Sequence, residues 1–193
     1  MPFPIIQTER LVLRPVQPTD KDFILKGLSD PRVTEYYAVH YSTLEDVEEQ
    51  MQFYKKLVQE ETGVWWVLCS KGNNSPIGAC GLSSLEREHR KAEIGFWLLP
   101  EYWGKGYIPE AARAVTDYAF DELDLNRIEA IVEGGNTASE KVLQKLGFTC
   151  EGRLRERELK AGQFIDLVYY GLLKKDILQG TVKAGQTMSG ECA

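Results

Sequence analysis

The sequence predicts a mixed α/β domain (α+β if the strand order is mostly antiparallel), with one sheet and helices on its faces. Three observations predict it. Strand-like apolar runs alternate with amphipathic helix-like runs along most of the 193 residues. Three strand-like runs, VWWVLCS (64–70), PIGACGLSSL (76–85) and KAEIGFWLL (91–99), follow one another across turns such as KGNNSP, as an antiparallel meander requires. Later helix-like runs carry start and stop residues, Pro109 at one start and Asn136 and Gly147 around another run.

Taken in order, RLVLRPV (10–16) reads as a first strand, and Thr19 opens a helix running through Leu28. Ser42 with Glu45 forms a capping box. Behind it Leu44, Val47, Met51, Tyr54 and Val58 recur at helical spacing. The meander follows. Pro109 then fits position N1 of a helix to about Leu123, with Ala111, Ala112, Val115, Tyr118 and Ala119 as its apolar face. RIEAIVE (127–133) is a strand, Asn136 caps a short helix ending at Leu146, and two strands follow near 148–158 and 164–173. Residues 1–178 read as one domain. QGTVKAGQTMSGECA (179–193) lacks an apolar period and reads as a flexible tail.

Composition narrows the classes. Hydrophobic residues make up 43%, enough for a core, and no apolar run approaches the roughly 20 residues of a membrane span. The N-terminal MPFPIIQTERLVLRP lacks a basic segment followed by an apolar one, so it does not read as a signal peptide. The four cysteines are scattered without a CxxC pair, which argues against a zinc site or disulfide framework and for a reducing cytoplasm. His40 and His89 are isolated, so no metal is expected. A formal net charge of −6 argues against general nucleic-acid binding and is compatible with a cationic substrate.

PEYWGKGYIPEA (100–111) places Gly-Lys-Gly directly before a helix. A helix N-terminus offers unpaired N–H groups and partial positive charge, and glycines let the backbone turn sharply and approach a ligand. The stretch is either a plain tight turn or a cradle for a phosphate-bearing cofactor. The Walker and dinucleotide glycine patterns are both absent.

The surroundings bear on that choice. AEIGFWLLPEYWGKGYIPEAARAVTDYAF (92–120) with NRIEAIVEGGNTASEKVLQKLGF (126–148) resembles the GNAT acetyltransferases. TERLVLRPVQPTD (8–20) and GFTCEGRLRERELKAGQFIDLVYYGLL (147–173) resemble the branch containing the ribosomal-protein N-terminal acetyltransferases RimJ and RimL. The likeness spans roughly residues 5–176. It implies a mostly antiparallel, twisted sheet whose central strands splay around acetyl-CoA, with helices on both faces. It implies that backbone of Phe96, Trp97 and Leu98 pairs with the pantetheine arm. The turn Trp103, Gly104, Lys105, Gly106, Tyr107, Ile108 and Pro109 would bind the pyrophosphate, with Lys105 adding charge. In the superfamily pattern of Arg or Gln, two residues, Gly, one residue, then Gly or Ala, Trp103 takes the first position. Gly106 is the central glycine, and Ile108 replaces the final small residue.

Acetyl transfer to an amine needs a neutral amine, a stabilised oxyanion and a donor for the leaving thiolate. Two carboxylates are candidates for the base. Glu93 lies in the strand leading into the turn, and Glu158 in RERELKAG aligns with a carboxylate proposed as base in RimL-like enzymes. Each also has a plain reading as a strand or hairpin surface charge. Asn136 reads as an N-cap, and the resemblance adds a pantetheine contact. Ser139 reads as a first-turn serine, and the resemblance adds a hydrogen bond to the thiolate. The oxyanion donor would be a backbone N–H near Leu98. Trp65 and Trp66 are expected in the core or at the substrate rim, and Tyr169 and Tyr170 in strand packing.

The expected activity is direct acetyl transfer from acetyl-CoA to a primary amine. The acceptor is a protein N-terminus or a small molecule such as a polyamine or aminoglycoside, and the chain a monomer or homodimer. A noncatalytic acyl-CoA-binding regulator and a nucleotide-binding module of unrelated chemistry are the rival readings.

Overall fold

A computed structural model of the protein describes residues 3–37 and 39–180. Eight strands form one sheet in the order β1-β2-β3-β4-β5-β6-β8-β7. They are β1 (Ile6–Gln7), β2 (Leu11–Pro15), β3 (Val64–Ser70), β4 (Pro76–Glu86), β5 (Lys91–Leu98), β6 (Arg127–Glu133), β7 (Thr149–Lys160) and β8 (Gln163–Leu173). Every neighbouring pair is antiparallel except β5–β6. The helices are α1 (Lys21–Leu28), α2 (Pro31–Thr34), α3 (Leu44–Gln59), α4 (Tyr107–Asp121), α5 (Thr137–Leu146) and α6 (Lys174–Gly180).

Strand alternation sends side chains to two cores. Ile94 and Leu98 of β5 join Ala111, Val115 and Ala119 of α4 and Leu143 of α5 in one. Trp97 of β5 joins Ile24 and Leu28 of α1 and Val47, Tyr54 and Leu57 of α3 in the other. Trp66 is fully buried in the first core, and Trp65 is largely buried in the second. Near the entrance to α1, Asp20 is buried and accepts two hydrogen bonds from the Arg14 guanidinium, both 2.7 Å, and one from the Gln17 N–H. That pairing is what allows a carboxylate to sit there.

Several local expectations shift. The capping box of α3 is Thr43 with Asp46, one residue later than Ser42 with Glu45. Its buried face runs through Val47, Gln50, Tyr54 and Leu57, while Leu44 and Val58 are exposed. Pro109 is the third residue of α4, because Gly106 is its N-cap. Proline is tolerated there, since the first-turn N–H groups have no intrahelical partner. Residues 179 and 180, read as the start of a tail, belong to α6, and 181–193 lie outside the described residues. Cys69 and Cys80 are buried free thiols, but Cys150 is disulfide-bonded, where the scattered cysteines argued against a disulfide framework. Among the described residues no helix is long and apolar enough to cross a membrane.

Candidate active site

The site exists because β5 and β6 part company. They pair only from Lys91–Arg127 to Glu93–Glu129. Beyond that, β5 continues to Leu98 beside β4, and β6 continues to Glu133 beside β8. A cleft of about 1300 Å³ fills the gap and passes through the sheet. On one face it reaches Pro109 of α4 and Ala138, Ser139 and Val142 of α5; on the other it reaches Gln50 and Phe53 of α3.

One wall is a strand edge that pairs with no other strand among the described residues. The Leu99 N–H donates to Ile77 O on β4 at 2.9 Å, so the backbone groups of Leu98 point the other way, into the gap. The Trp103 indole N–H donates to Leu98 O at 2.7 Å from that side. Two residues back, the groups of Phe96 share the same edge. Trp97 faces β4 with its backbone, and its side chain is buried, stacked on Phe23 with ring centroids 5.3 Å apart.

The turn before α4 forms the next wall. Gly104 (φ +71°) and Gly106 (φ +78°) are left-handed, a conformation glycine adopts at no steric cost. Among the described residues no hydrogen bond engages the backbone N–H groups of Gly104, Lys105 or Gly106, and the first α4 N–H groups, Tyr107 and Ile108, lack intrahelical partners. Five N–H donors thus collect beside a helix N-terminus, the chemistry that receives a pyrophosphate. Ile108 is buried with its side chain in the α4-side core, so it does not obstruct the turn. The Lys105 ammonium points elsewhere: it donates to Glu101 O at 2.8 Å and lies 5.4 Å from the Tyr102 ring centroid.

On α5, Asn136 Oδ1 accepts the Ser139 N–H at 3.1 Å, so Asn136 is the N-cap and both residues line the cleft. Tyr170 does more than pack. It is buried in β8, and its hydroxyl donates to Glu140 Oε2 at 2.8 Å, tying β8 to the helix turn that carries Ser139. Burial, and then Glu140, push the Tyr170 phenol up to about 12.

The two candidate bases sit in unlike surroundings. Glu93 is half-buried where the strands separate and lines the cleft. Among the described residues its carboxylate has no hydrogen bond and no ion pair. Burial first, then repulsion from Glu129, raise its carboxyl above the usual value. Glu158 lines the cleft from the exposed face of β7, opposite Ile165. The β7–β8 hairpin is latched across the opening: Lys160 Nζ donates to Glu35 O and to Glu133 Oε2, both at 2.6 Å. Trp65 and Tyr37 add aromatic wall on the Glu93 side. Sequence reading missed the Lys160 latch and the Tyr170–Glu140 tie, because each joins residues far apart in the chain.

Residues 10–149 match the family described as "Acetyltransferase (GNAT) domain". The chain belongs to the GNAT acetyltransferases. An uncharacterized N-acetyltransferase of Bacillus subtilis (strain 168) is 35% identical over 89% of this chain and 98% of its own length. The crystal structure of spermidine N-acetyltransferase from Vibrio cholerae in complex with CoA and spermine superposes with a TM-score of 0.78 at 25% identity, covering 88% of this chain and 98% of that one. RimL, a ribosomal L7/L12 alpha-N-protein acetyltransferase in complex with coenzyme A, shares the fold, with a TM-score of 0.80 at 20% identity over 88% of this chain and 98% of that one. This GNAT protein is an N-acetyltransferase, and its mixed, mostly antiparallel sheet is the family's sheet.

Proposed function

We propose that the protein moves an acetyl group from acetyl-CoA to a primary amine by direct transfer, with Glu93 as the base. The observation that carries this is a half-buried carboxylate without a cation, with a raised affinity for protons, at the point where the sheet opens. Acetyl-CoA supplies the activated thioester. The N–H groups of Gly104 to Ile108 would receive its pyrophosphate, and the free edge at Phe96 and Leu98, with Asn136, its pantetheine arm. The Leu98 N–H, aimed into the gap, would stabilise the oxyanion. The Ser139 hydroxyl would donate a hydrogen bond to the departing thiolate.

The work asked of Glu93 depends on the acceptor. An α-amino group of pKa near ~8 costs about 1.4 kcal/mol to deprotonate at pH 7, and a lysine-like amine near ~10.4 about 4.6. The resemblance of 8–20 and 147–173 to the RimJ/RimL branch supports a polypeptide N-terminal amine. A second reading, a polyamine, has its own support: Glu35 and Glu49 line the acceptor side of the cleft with no ion pair among the described residues, and unpaired carboxylates attract a cationic amine.

The test is thermal stability with acetyl-CoA, and with ATP and NAD as controls, followed by an acceptor panel of peptides and polyamines. Ligand at ~100 times Kd adds about 2.7 kcal/mol, a shift of several degrees. Stabilisation by acetyl-CoA alone is expected. Stabilisation only by ATP or NAD would select the nucleotide-module reading, and binding without turnover of any amine the regulator reading.

A further inference from the structure

We infer that Arg10 is the positioning residue that holds the Gly104–Gly106 turn in its ligand-ready shape, an inference that rests on the acetyl-CoA reading above. The turn's own N–H groups do not hold it. Among the described residues those three N–H groups form no hydrogen bond, and the two glycines give the turn wide backbone freedom. A loop that keeps its donors free for a ligand must be fixed by its other groups.

Arg10 supplies that fixation from behind. Its Nη1 donates to the carbonyl of Lys105, the middle residue of the turn, at 2.8 Å. Its guanidinium lies 4.6 Å from the Tyr107 ring centroid, over the first residue of α4. Its Nε donates to Glu110 Oε2 at 2.6 Å, and its backbone N–H to Glu110 Oε1 at 2.8 Å. The Thr8 hydroxyl donates to the same Oε1 at 2.5 Å. Burial raises the Glu110 carboxyl, but the hydrogen bonds from Thr8 and Arg10 outweigh it and hold it below the usual range, so it stays ionised at neutral pH. The corner between β1 and β2 is thereby pinned to both the turn and the first turn of α4. Arg10, Thr8 and Glu110 do not line the cleft. Their effect on a ligand passes through the shape of the turn.

One guanidinium makes the carbonyl, carboxylate and ring contacts together. The planar fork permits this, and a lysine ammonium, a point donor, cannot span them. When the competent shape is only partly populated, apparent affinity falls by that fraction. Without the fork, acetyl-CoA binding weakens while the chemistry at Glu93 and Ser139 is untouched.

The experiment measures the acetyl-CoA Kd by calorimetry, with kcat and the amine KM, for wild type, Arg10→Lys and Arg10→Gln. The expected result is about tenfold weaker acetyl-CoA binding in both variants, with kcat at saturation and the amine KM within about twofold of wild type. Arg10→Lys keeps charge and stem, so it carries the test if Arg10→Gln folds poorly. Wild-type affinity in Arg10→Lys overturns the inference, as does a kcat that falls as far as the affinity. A wild-type protein that does not bind acetyl-CoA overturns the cofactor reading itself, and this inference with it.

Discussion

Glu93 of β5 stands opposite Glu129 of β6 in the last paired position before the two strands separate. The two carboxylates are treated differently. Arg127 at 2.8 Å and Lys91 at 3.5 Å neutralise Glu129, while no cation among the described residues reaches Glu93. Burial and the neighbouring acid then act in the same direction and raise the Glu93 carboxyl. A base must be deprotonated to work, so kcat/KM should be lost as pH falls through this raised value, higher than for an unperturbed glutamate. Glu93→Gln should lower kcat/KM by about 10²–10³ at neutral pH and remove that acid limb. A pH–rate profile of both proteins decides it. An unchanged limb in Glu93→Gln, together with its loss in Glu158→Gln, would move the base to β7.

The same environment has a cost in stability. A carboxyl whose folded value is raised favours folding below its unfolded value, near 4.5, and that contribution is lost as pH rises through the folded value. At neutral pH the native state therefore carries a poorly solvated charge. Glu93→Gln should raise the melting temperature at pH 7.5 and leave it nearly unchanged at pH 4. Melting curves at the two pH values test the sign. A variant less stable than wild type at pH 7.5 would mean that Glu93 has a stabilising partner.

Much of the frame was legible because local signals fix it. Val64–Ser70 and Arg127–Glu133 are strands over the residues expected, and Asn136 and Gly147 bound α5 as their chemistry requires. The capping box slipped by one because STLED contains two overlapping patterns. Asp46 settles the choice by accepting the N–H groups of both Ser42 and Thr43. Pro109 misled because its fixed φ suits any first-turn position, and the left-handed Gly106 sets the start. Through the resemblance, the sequence named residues such as Glu93, Phe96, Ser139 and Glu158 that line the cleft. How the surroundings of Glu93 and Glu158 differ was not legible, because burial and the lack of a cation among the described residues are properties of the assembled sheet. The Arg10–Glu110 brace joins residues a hundred positions apart, beyond the reach of any local pattern.

The hairpin that carries Glu158 and Lys160 turns through Ala161 (φ +50°) and Gly162 (φ +79°). Two-residue hairpins with both central residues left-handed favour Asn-Gly, since an alanine pays for this conformation without a compensating side-chain hydrogen bond. Ala161→Asn should stabilise the protein by about 0.5–1 kcal/mol, roughly 1–4 °C in melting temperature for a chain of this size. Activity should be unchanged, because the Lys160 latch to Glu35 and Glu133 remains. Denaturant unfolding gives the sign, and a loss of stability would mean that the asparagine side chain meets an obstacle at the tip.

Ser139 separates binding from chemistry. Its N–H is already used by the Asn136 cap at 3.1 Å, so the helix start survives removal of the hydroxyl. The hydroxyl makes no hydrogen bond among the described residues, and the residue lines the cleft. A group with no structural partner is free to act late in the reaction, when the leaving sulfur gains charge. Ser139→Ala should therefore lower kcat by about 10², the usual loss for one transition-state donor, while the acetyl-CoA Kd moves less than about twofold. Single-turnover rates beside equilibrium titrations measure the two effects separately. Were affinity to fall while the rate held, Ser139 would be a ground-state contact to the pantetheine arm, and the thiolate would need another donor.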